Sequence, residues 1–223
     1  LFIPGKKTDE EHKIVQPIYE LDHPLAAHHL TILRDAATPP ALFRTQVRLL
    51  SMLLAVKATE DLDLEPVTII TPLTHMEGKR LTGKIAIVPI LRAGLGLVEP
   101  VLELLPEAQV WHLGMYRDEA TALPVEYYSK LPKENPARVG FVLDPMLATG
   151  GSVRAAVAAL KRWGVGDVRV LSVIAAREGI EGFHAEHPDV RIYVAAVDEE
   201  LNPQKYIVPG LGDAGDRMFN TPA

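Results

Sequence analysis

The stretch Val139-Gly140-Phe141-Val142-Leu143-Asp144-Pro145-Met146-Leu147-Ala148-Thr149-Gly150-Gly151-Ser152 changes character twice in a short space. It starts as an apolar run typical of a buried strand, and it ends where a helical pattern opens over residues 153–163. Between the two, an acid stands at the strand end and Thr-Gly-Gly-Ser begins the helix. Gly150 and Gly151 permit positive φ and close backbone approach. The N–H groups left free at a helix start, together with the hydroxyls of Thr149 and Ser152, favour an anion there. Asp144 would sit about one sugar length away, where a carboxylate can accept hydrogen bonds from ribose hydroxyls. The alternative is a plain βα turn with an Asp and a Ser/Thr cap, and the apolar strand ending in that acid weighs against it. No Lys follows the glycines, so this is not a nucleoside-triphosphate loop of the Gly-Lys-Ser/Thr type.

Outward from this point the same strand–turn–helix rhythm repeats. Residues 85–90 form a buried-strand run, followed by a glycine-containing turn and a helical stretch over 97–105. Further strands are expected at 67–70, 109–113, 168–176 and 192–197. Helical spacing marks 24–37 and 40–59, separated by Pro39-Pro40. Residues 1–23 read as a polar, irregular N-terminal arm. The pattern predicts an α/β fold, doubly wound, with a mainly parallel sheet and helices on both faces. In such sheets ligands sit at the carboxyl ends of strands, near a topological switch point.

Composition narrows the function. The chain has 223 residues, with 48% apolar and 23% charged, the ordinary balance of one domain with a core. The formal net charge is −6, which argues against a broad nucleic-acid-binding surface but leaves room for a local basic pocket. There are no cysteines, so disulfide scaffolds, thiolate metal sites and thiol catalysis are excluded. No apolar run approaches the ~20 residues that cross a bilayer, and Leu1-Phe2-Ile3-Pro4 leads into charge rather than a signal-peptide pattern. No membrane partner and a cytoplasmic location are expected. The eight histidines form no convincing metal set.

Three other segments carry chemistry. Leu91-Arg92-Ala93-Gly94 follows a buried strand, and Arg92 could fork onto a phosphate, cap a helix or pair with Glu99. Arg117 stands in Gly114-Met115-Tyr116-Arg117-Asp118-Glu119, ahead of Val125-Glu126-Tyr127-Tyr128, which suggests a β-hairpin. Gly210-Leu211-Gly212-Asp213-Ala214-Gly215 fits the dinucleotide pattern formally. The helix, second strand and acid which that motif needs do not follow in the eight residues after Gly215.

Together these motifs resemble those of the type I phosphoribosyltransferases. Most members place two adjacent acids at the strand end, whereas Asp144-Pro145, followed by Met146 to Ser152, is similar to the uracil phosphoribosyltransferase subgroup. The resemblance continues through residues 89–96, 114–117 and 206–216, and covers roughly residues 20–220. It implies transfer of a 5-phosphoribosyl group from phosphoribosyl pyrophosphate to uracil, giving uridine monophosphate and pyrophosphate in pyrimidine salvage. It implies that residues 91–94 form a pyrophosphate loop, often with a non-proline cis peptide. It makes Arg92, Arg117, Asp144 and Asp213 catalytic. The phosphoribosyl-pyrophosphate set would be these four with Pro145, Met146, Leu147, Ala148, Thr149, Gly150, Gly151 and Ser152. Uracil would meet Ile207, Gly212, Asp213 and Ala214. Mg²⁺ would be held mainly by substrate oxygens and water, with no protein metal cage.

The implied layout is one domain over 1–223, with an arm at 1–20, a β-arm at 114–131 and a base-binding hood at 198–223. A homo-oligomer, dimer or higher, is expected, and a nucleotide effector stays open. RNA- or DNA-binding regulators of this fold would be expected to show a basic face or an added domain. A purine acceptor fits less well with Pro145 and the C-terminal glycine loop.

Overall fold

The computed structural model describes residues 18–117, 124–129, 131–132 and 134–221, and for 114–117 and 124–129 the main chain alone. The first element among the described residues is strand β1 (Ile18–Glu20), followed by helices α1 (Pro24–Arg34) and α2 (Pro40–Ala58). Each helix has a proline in its first turn, where a missing N–H costs nothing. Next come β2 (Leu64–Ile70), β3 (His75–Leu81), β4 (Ile85–Pro89), a 3-10 turn over Ala93–Leu97 and α3 (Val98–Leu104). Strands β5 (Gln109–Val110), β6 (Leu113–Arg117), β7 (Pro124–Ser129), β8 (Val139–Leu143) and β9 (Met146–Leu147) lead into α4 (Gly151–Trp163). The chain ends with β10 (Asp167–Ala176), α5 (Arg177–Glu186), β11 (Arg191–Asp198), β12 (Glu200–Leu201), β13 (Ile207–Val208) and α6 (Ala214–Phe219).

The main sheet runs β1-β11-β10-β8-β4-β5, with β9 added beside β10, and the pairings are parallel. Its strands alternate between two cores. Ile85, Ile87, Phe141, Leu143, Leu171 and Val173 face Leu33, Phe43, Leu50 and Val101 of α1–α3. Ala86, Val88, Val142, Val170 and Val194 face Val153, Val157, Leu160 and Phe183 of α4 and α5. Both faces of the sheet are therefore covered, the doubly wound arrangement that the sequence predicts. From β4 the chain steps outward to β5, then returns to the other side of β4 with β8. The β4/β8 border is thus the switch point.

At the opposite end of the strands lies an ion-pair network. Arg169, 2% exposed, donates to Asp167, to Asp61 (2.7 Å) and to the Ala58 carbonyl (2.5 Å). Arg191 pairs with the same two carboxylates. Asp61 and Asp167 are held below the usual carboxylate range: burial raises them, but hydrogen bonds from Arg169 and Arg191 outweigh it.

The structure departs from the sequence reading in places. Ile18–Glu20 is not part of an irregular arm but pairs in register with Ile192–Val194 of β11, its apolar–aromatic edge meeting an open strand. The region 109–113 splits into the two residues of β5 and the first residue of β6. The run at 67–70 belongs to an antiparallel hairpin whose second strand, His75–Leu81, has no apolar alternation to announce it. Strands β6 and β7 pair as the expected hairpin.

Candidate active site

The strand ends at the switch point open into a pocket of about 260 Å³. It is lined by Ile90, Arg92 and Ala93 from beyond β4, Asp144, Pro145, Met146 and Ser152 from beyond β8, and Asp213, Ala214 and Gly215 from the start of α6. Segments some 120 positions apart thus meet in one cleft.

Helix α4 begins at the pocket. Its N-cap is Gly150, with φ +75°, a left-handed conformation that side chains resist. A Cβ at Gly150 would point at the Gly179 carbonyl (3.3 Å) and Arg154 (3.6 Å), towards α5 and the back of the loop. Arg154 donates to the Thr149 carbonyl (3.2 Å) and pairs with Glu186, so the loop is braced from behind. Asp144 accepts a hydrogen bond from the Met146 amide (3.2 Å). Burial pushes its carboxyl up to about 7, and the Met146 N–H opposes this only in part.

The loop after β4 crosses the end of β8. A Cβ at Gly94 would lie 2.4 Å from the Leu143 carbonyl, so only glycine lets the two strand ends converge. The Leu91–Arg92 peptide is cis, as the resemblance implies. Arg92 neither caps a helix through its side chain nor pairs with Glu99. It reaches the C-terminal helix and binds Asp216 at 3.0 Å, while Thr221 donates to the same carboxylate oxygen. Asp213 caps α6 by accepting from the Asp216 amide (2.9 Å).

Of the residues expected at the site, Arg92, Asp144, Pro145, Met146, Ser152, Asp213 and Ala214 come together in this pocket. Gly212 lies in the adjoining cleft with Asp213. The side chains of Leu147 and Ile207 lie in the two cores, leaving their main chains as the parts that could meet a ligand. Ala148, Thr149 and Gly151 form the turn into α4 beside the pocket. Arg117 has its main chain in β6, opposite Pro124. Its side chain, with Asp118 and Glu119, lies outside the described residues. Sequence reasoning missed Arg154, and it quoted the C-terminal motif without giving a role to Asp216 or Gly215. Gly-Asp motifs flagged the segment of the last two, but nothing local marked the partner of Asp216.

The profile of the family described as Uracil phosphoribosyltransferase matches residues 20–221. The chain belongs to the uracil phosphoribosyltransferase family. A protein of that name from Roseiflexus sp. is 56% identical over 199 residues, covering 89% of this chain and 96% of the relative. The namesake from Staphylococcus aureus is 51% identical over 205 residues, 92% and 98% of the two chains. A solved structure of an Aquifex aeolicus protein superimposes with a TM-score of 0.85 at 37% identity, covering 91% of this chain and 97% of that one. In uracil phosphoribosyltransferase terms, the cleft at the β4/β8 border joins three of the four motif segments that the sequence resemblance singled out.

Proposed function

We propose that the chain transfers the 5-phosphoribosyl group of phosphoribosyl pyrophosphate to uracil, releasing pyrophosphate and forming uridine monophosphate. The observation that carries this reading is the meeting of Arg92, of Asp144 with Ser152, and of Ala214, from three separate segments, in one pocket of about 260 Å³. The helix start at Thr149–Ser152 anchors the 5-phosphate through main-chain N–H groups and two hydroxyls. Asp144 in its ionised form accepts from the ribose hydroxyls and faces the positive charge that develops as the anomeric carbon–oxygen bond breaks. Arg92 forks onto the leaving pyrophosphate, exchanging its Asp216 partner for phosphate oxygens. Arg117 is its proposed companion from the β-arm. The main chains of Ile207, Gly212 and Ala214 read the polar edge of uracil, and Asp213 faces the pyrophosphate. Holding both substrates in one cleft removes the entropy of bringing them together.

Among the described residues no group of three His, Cys, Asp or Glu side chains could cage a metal. The carboxylates of Asp144 and Asp213 on the pocket wall suit an ion carried mostly by substrate oxygens and water. Mg²⁺ bound in that way would supply charge neutralisation of the leaving pyrophosphate.

The test is uracil-dependent pyrophosphate release, with hypoxanthine and adenine as comparators. Uracil should support turnover and the purines should not. Because main-chain groups fixed in direction cannot rotate to suit the reversed donor–acceptor edge of cytosine, uracil should be preferred over it by roughly 10⁴-fold. 5-Fluorouracil, unchanged on that edge, should be accepted. Comparable turnover of cytosine or a purine would remove the assignment. Among the described residues no helix is long and apolar enough to cross a membrane. A cytoplasmic setting and a homo-oligomer belong to the same proposal.

A further inference from the structure

The base-binding segment is held by two charged residues that lie outside the pocket. Arg34, the last residue of α1, donates to both carboxylate oxygens of Asp198, the last residue of β11, at 2.8 and 2.6 Å. Asp198 is 6% exposed. The pair closes on a single residue of the loop. Arg34 Nη1 donates to the Gly210 carbonyl at 2.8 Å, and the Gly210 N–H donates to Asp198 Oδ2 at 3.0 Å. Both main-chain polar groups of Gly210 are therefore fixed by one ion pair, anchored on two elements of the main fold. Gly210 itself has φ +60°, and a Cβ there would lie 2.0 Å from the Ile207 carbonyl. The turn thus brings Ile207 against Gly210 and aims the following residues, Gly212 to Ala214, at the pocket. Arg217 braces the far side, donating to the Leu211 and Leu33 carbonyls at 2.8 Å while its guanidinium lies over the Phe43 ring.

We infer that Arg34 and Asp198 are positioning residues of the base loop, and that their grip on Gly210 sets how sharply the site distinguishes uracil from cytosine. The inference rests on the proposed function. A buried ion pair contributes little net stability, since desolvation offsets most of the attraction. Its directional hydrogen bonds, however, fix the peptide planes that follow. Main-chain groups discriminate between bases only while they cannot turn. A loop released at Gly210 can rotate its peptides to meet the reversed edge, losing uracil affinity and gaining tolerance. The phosphate loop is braced by Arg154, and the pyrophosphate loop meets this segment only beyond the Gly210 turn, where Arg92 pairs with Asp216, so the phosphoribosyl-pyrophosphate site should sense the change far less than the base site.

The experiment compares wild type with Asp198→Asn, Arg34→Ala, Arg34→Lys and the double variant Arg34→Leu/Asp198→Leu, which orphans no charge. Initial rates are measured against each substrate, with cytosine as the competing base, and thermal melting reports folding. The expected result is a uracil KM raised ~10-fold or more in Asp198→Asn and the double variant, the scale of a lost charged hydrogen bond. The uracil-over-cytosine ratio should fall and the phosphoribosyl-pyrophosphate KM should stay near wild type. Arg34→Lys, which keeps charge but cannot span Asp198 and Gly210 together, should fall between wild type and Arg34→Ala. Both KM values rising together, an unchanged base ratio in the folded variants, or failure of every variant to fold would overturn the inference. No uracil-dependent release from wild type would instead strike the proposed function itself, a result separable from an active wild type with unmoved variants.

Discussion

Asp144 is asked to be a carboxylate in a place that favours the neutral acid. Burial raises its pKa from 3.8 to about 7, so near neutrality a sizeable fraction is protonated, and a protonated acid is a poorer acceptor for ribose hydroxyls. The kcat/KM for phosphoribosyl pyrophosphate, which reports the free enzyme, should therefore rise with pH through about 7, and Asp144→Asn should lower the rate and remove that inflection. Stability should move the other way. Between pH 4 and 7 the folded chain holds a proton that the unfolded chain has released, so the folded state loses stability as pH rises across that window. The ionised form above it is disfavoured by an amount on the order of a few kcal/mol. Asp144→Asn should consequently melt at higher temperature than wild type at pH 8, with the gain vanishing towards pH 4. An equal gain at both pH values would show that burial of the charge is not the cause. Gly150 gives a second test. A valine there meets a left-handed backbone and a Cβ directed at the Gly179 carbonyl rather than at the pocket. Gly150→Val should abolish turnover by distorting the turn into α4, and circular dichroism should still show a folded chain.

The elements that could be read from sequence are those whose own residues impose them. Strands β4 and β8 are uninterrupted apolar runs because both faces are covered, and the glycine turns after them announce where the sheet hands over to a loop. The turn into α4, the loop after β4 and the C-terminal glycine segment were legible as loops for the same reason: each needs residue types that few other roles require. What stayed hidden depends on partners remote in the chain. Strand β3 is stabilised by pairing with β2 rather than by a buried face, so its sequence shows no period. Ile18–Glu20 is a strand only because β11 offers an open edge. Arg34, Asp198 and Asp216 are single charged residues in ordinary positions, and their importance lies in what they touch. The cluster at the far end of the sheet is of this kind and can be tested. Arg169 ties the end of α2 and the Asp61 turn to β10 and, through shared carboxylates, to β11. Arg169→Met should leave Asp167 and the Ala58 carbonyl short of a buried partner and cost about 3–5 kcal/mol in urea unfolding. Substrate KM values in the folded fraction should hardly change. A loss below about 1 kcal/mol would mean that water substitutes for the guanidinium.

At the scale of the whole molecule, the β2–β3 hairpin stands away from the sheet with Ile70 76% and Leu73 95% exposed, beside half-exposed Leu64, Ile69 and Met76. Apolar side chains gathered at one projection favour contact with another surface, and the expected homo-oligomer would supply one. Ile70→Glu with Leu73→Glu should shift the mass measured by light scattering towards the monomer. An unchanged mass would place any interface elsewhere. The order of strands carries one more consequence. Among the described residues the strand Ile18–Glu20 pairs with β11 alone, which is made more than 170 positions later, and Arg34 waits 164 positions for Asp198. Emerging from a ribosome, the chain would release the loops after β4 and β8 while Ile18–Glu20, Arg34 and Arg92 were still without the partners they meet in β11 and α6. Long-range closures of this sort are paid for late in folding. One event, the docking of β11, both pairs Ile18–Glu20 and brings Asp198 to Arg34 and Gly210, so on the proposed reading of Gly210 a nascent chain able to discriminate its acceptor is also one whose sheet is finished.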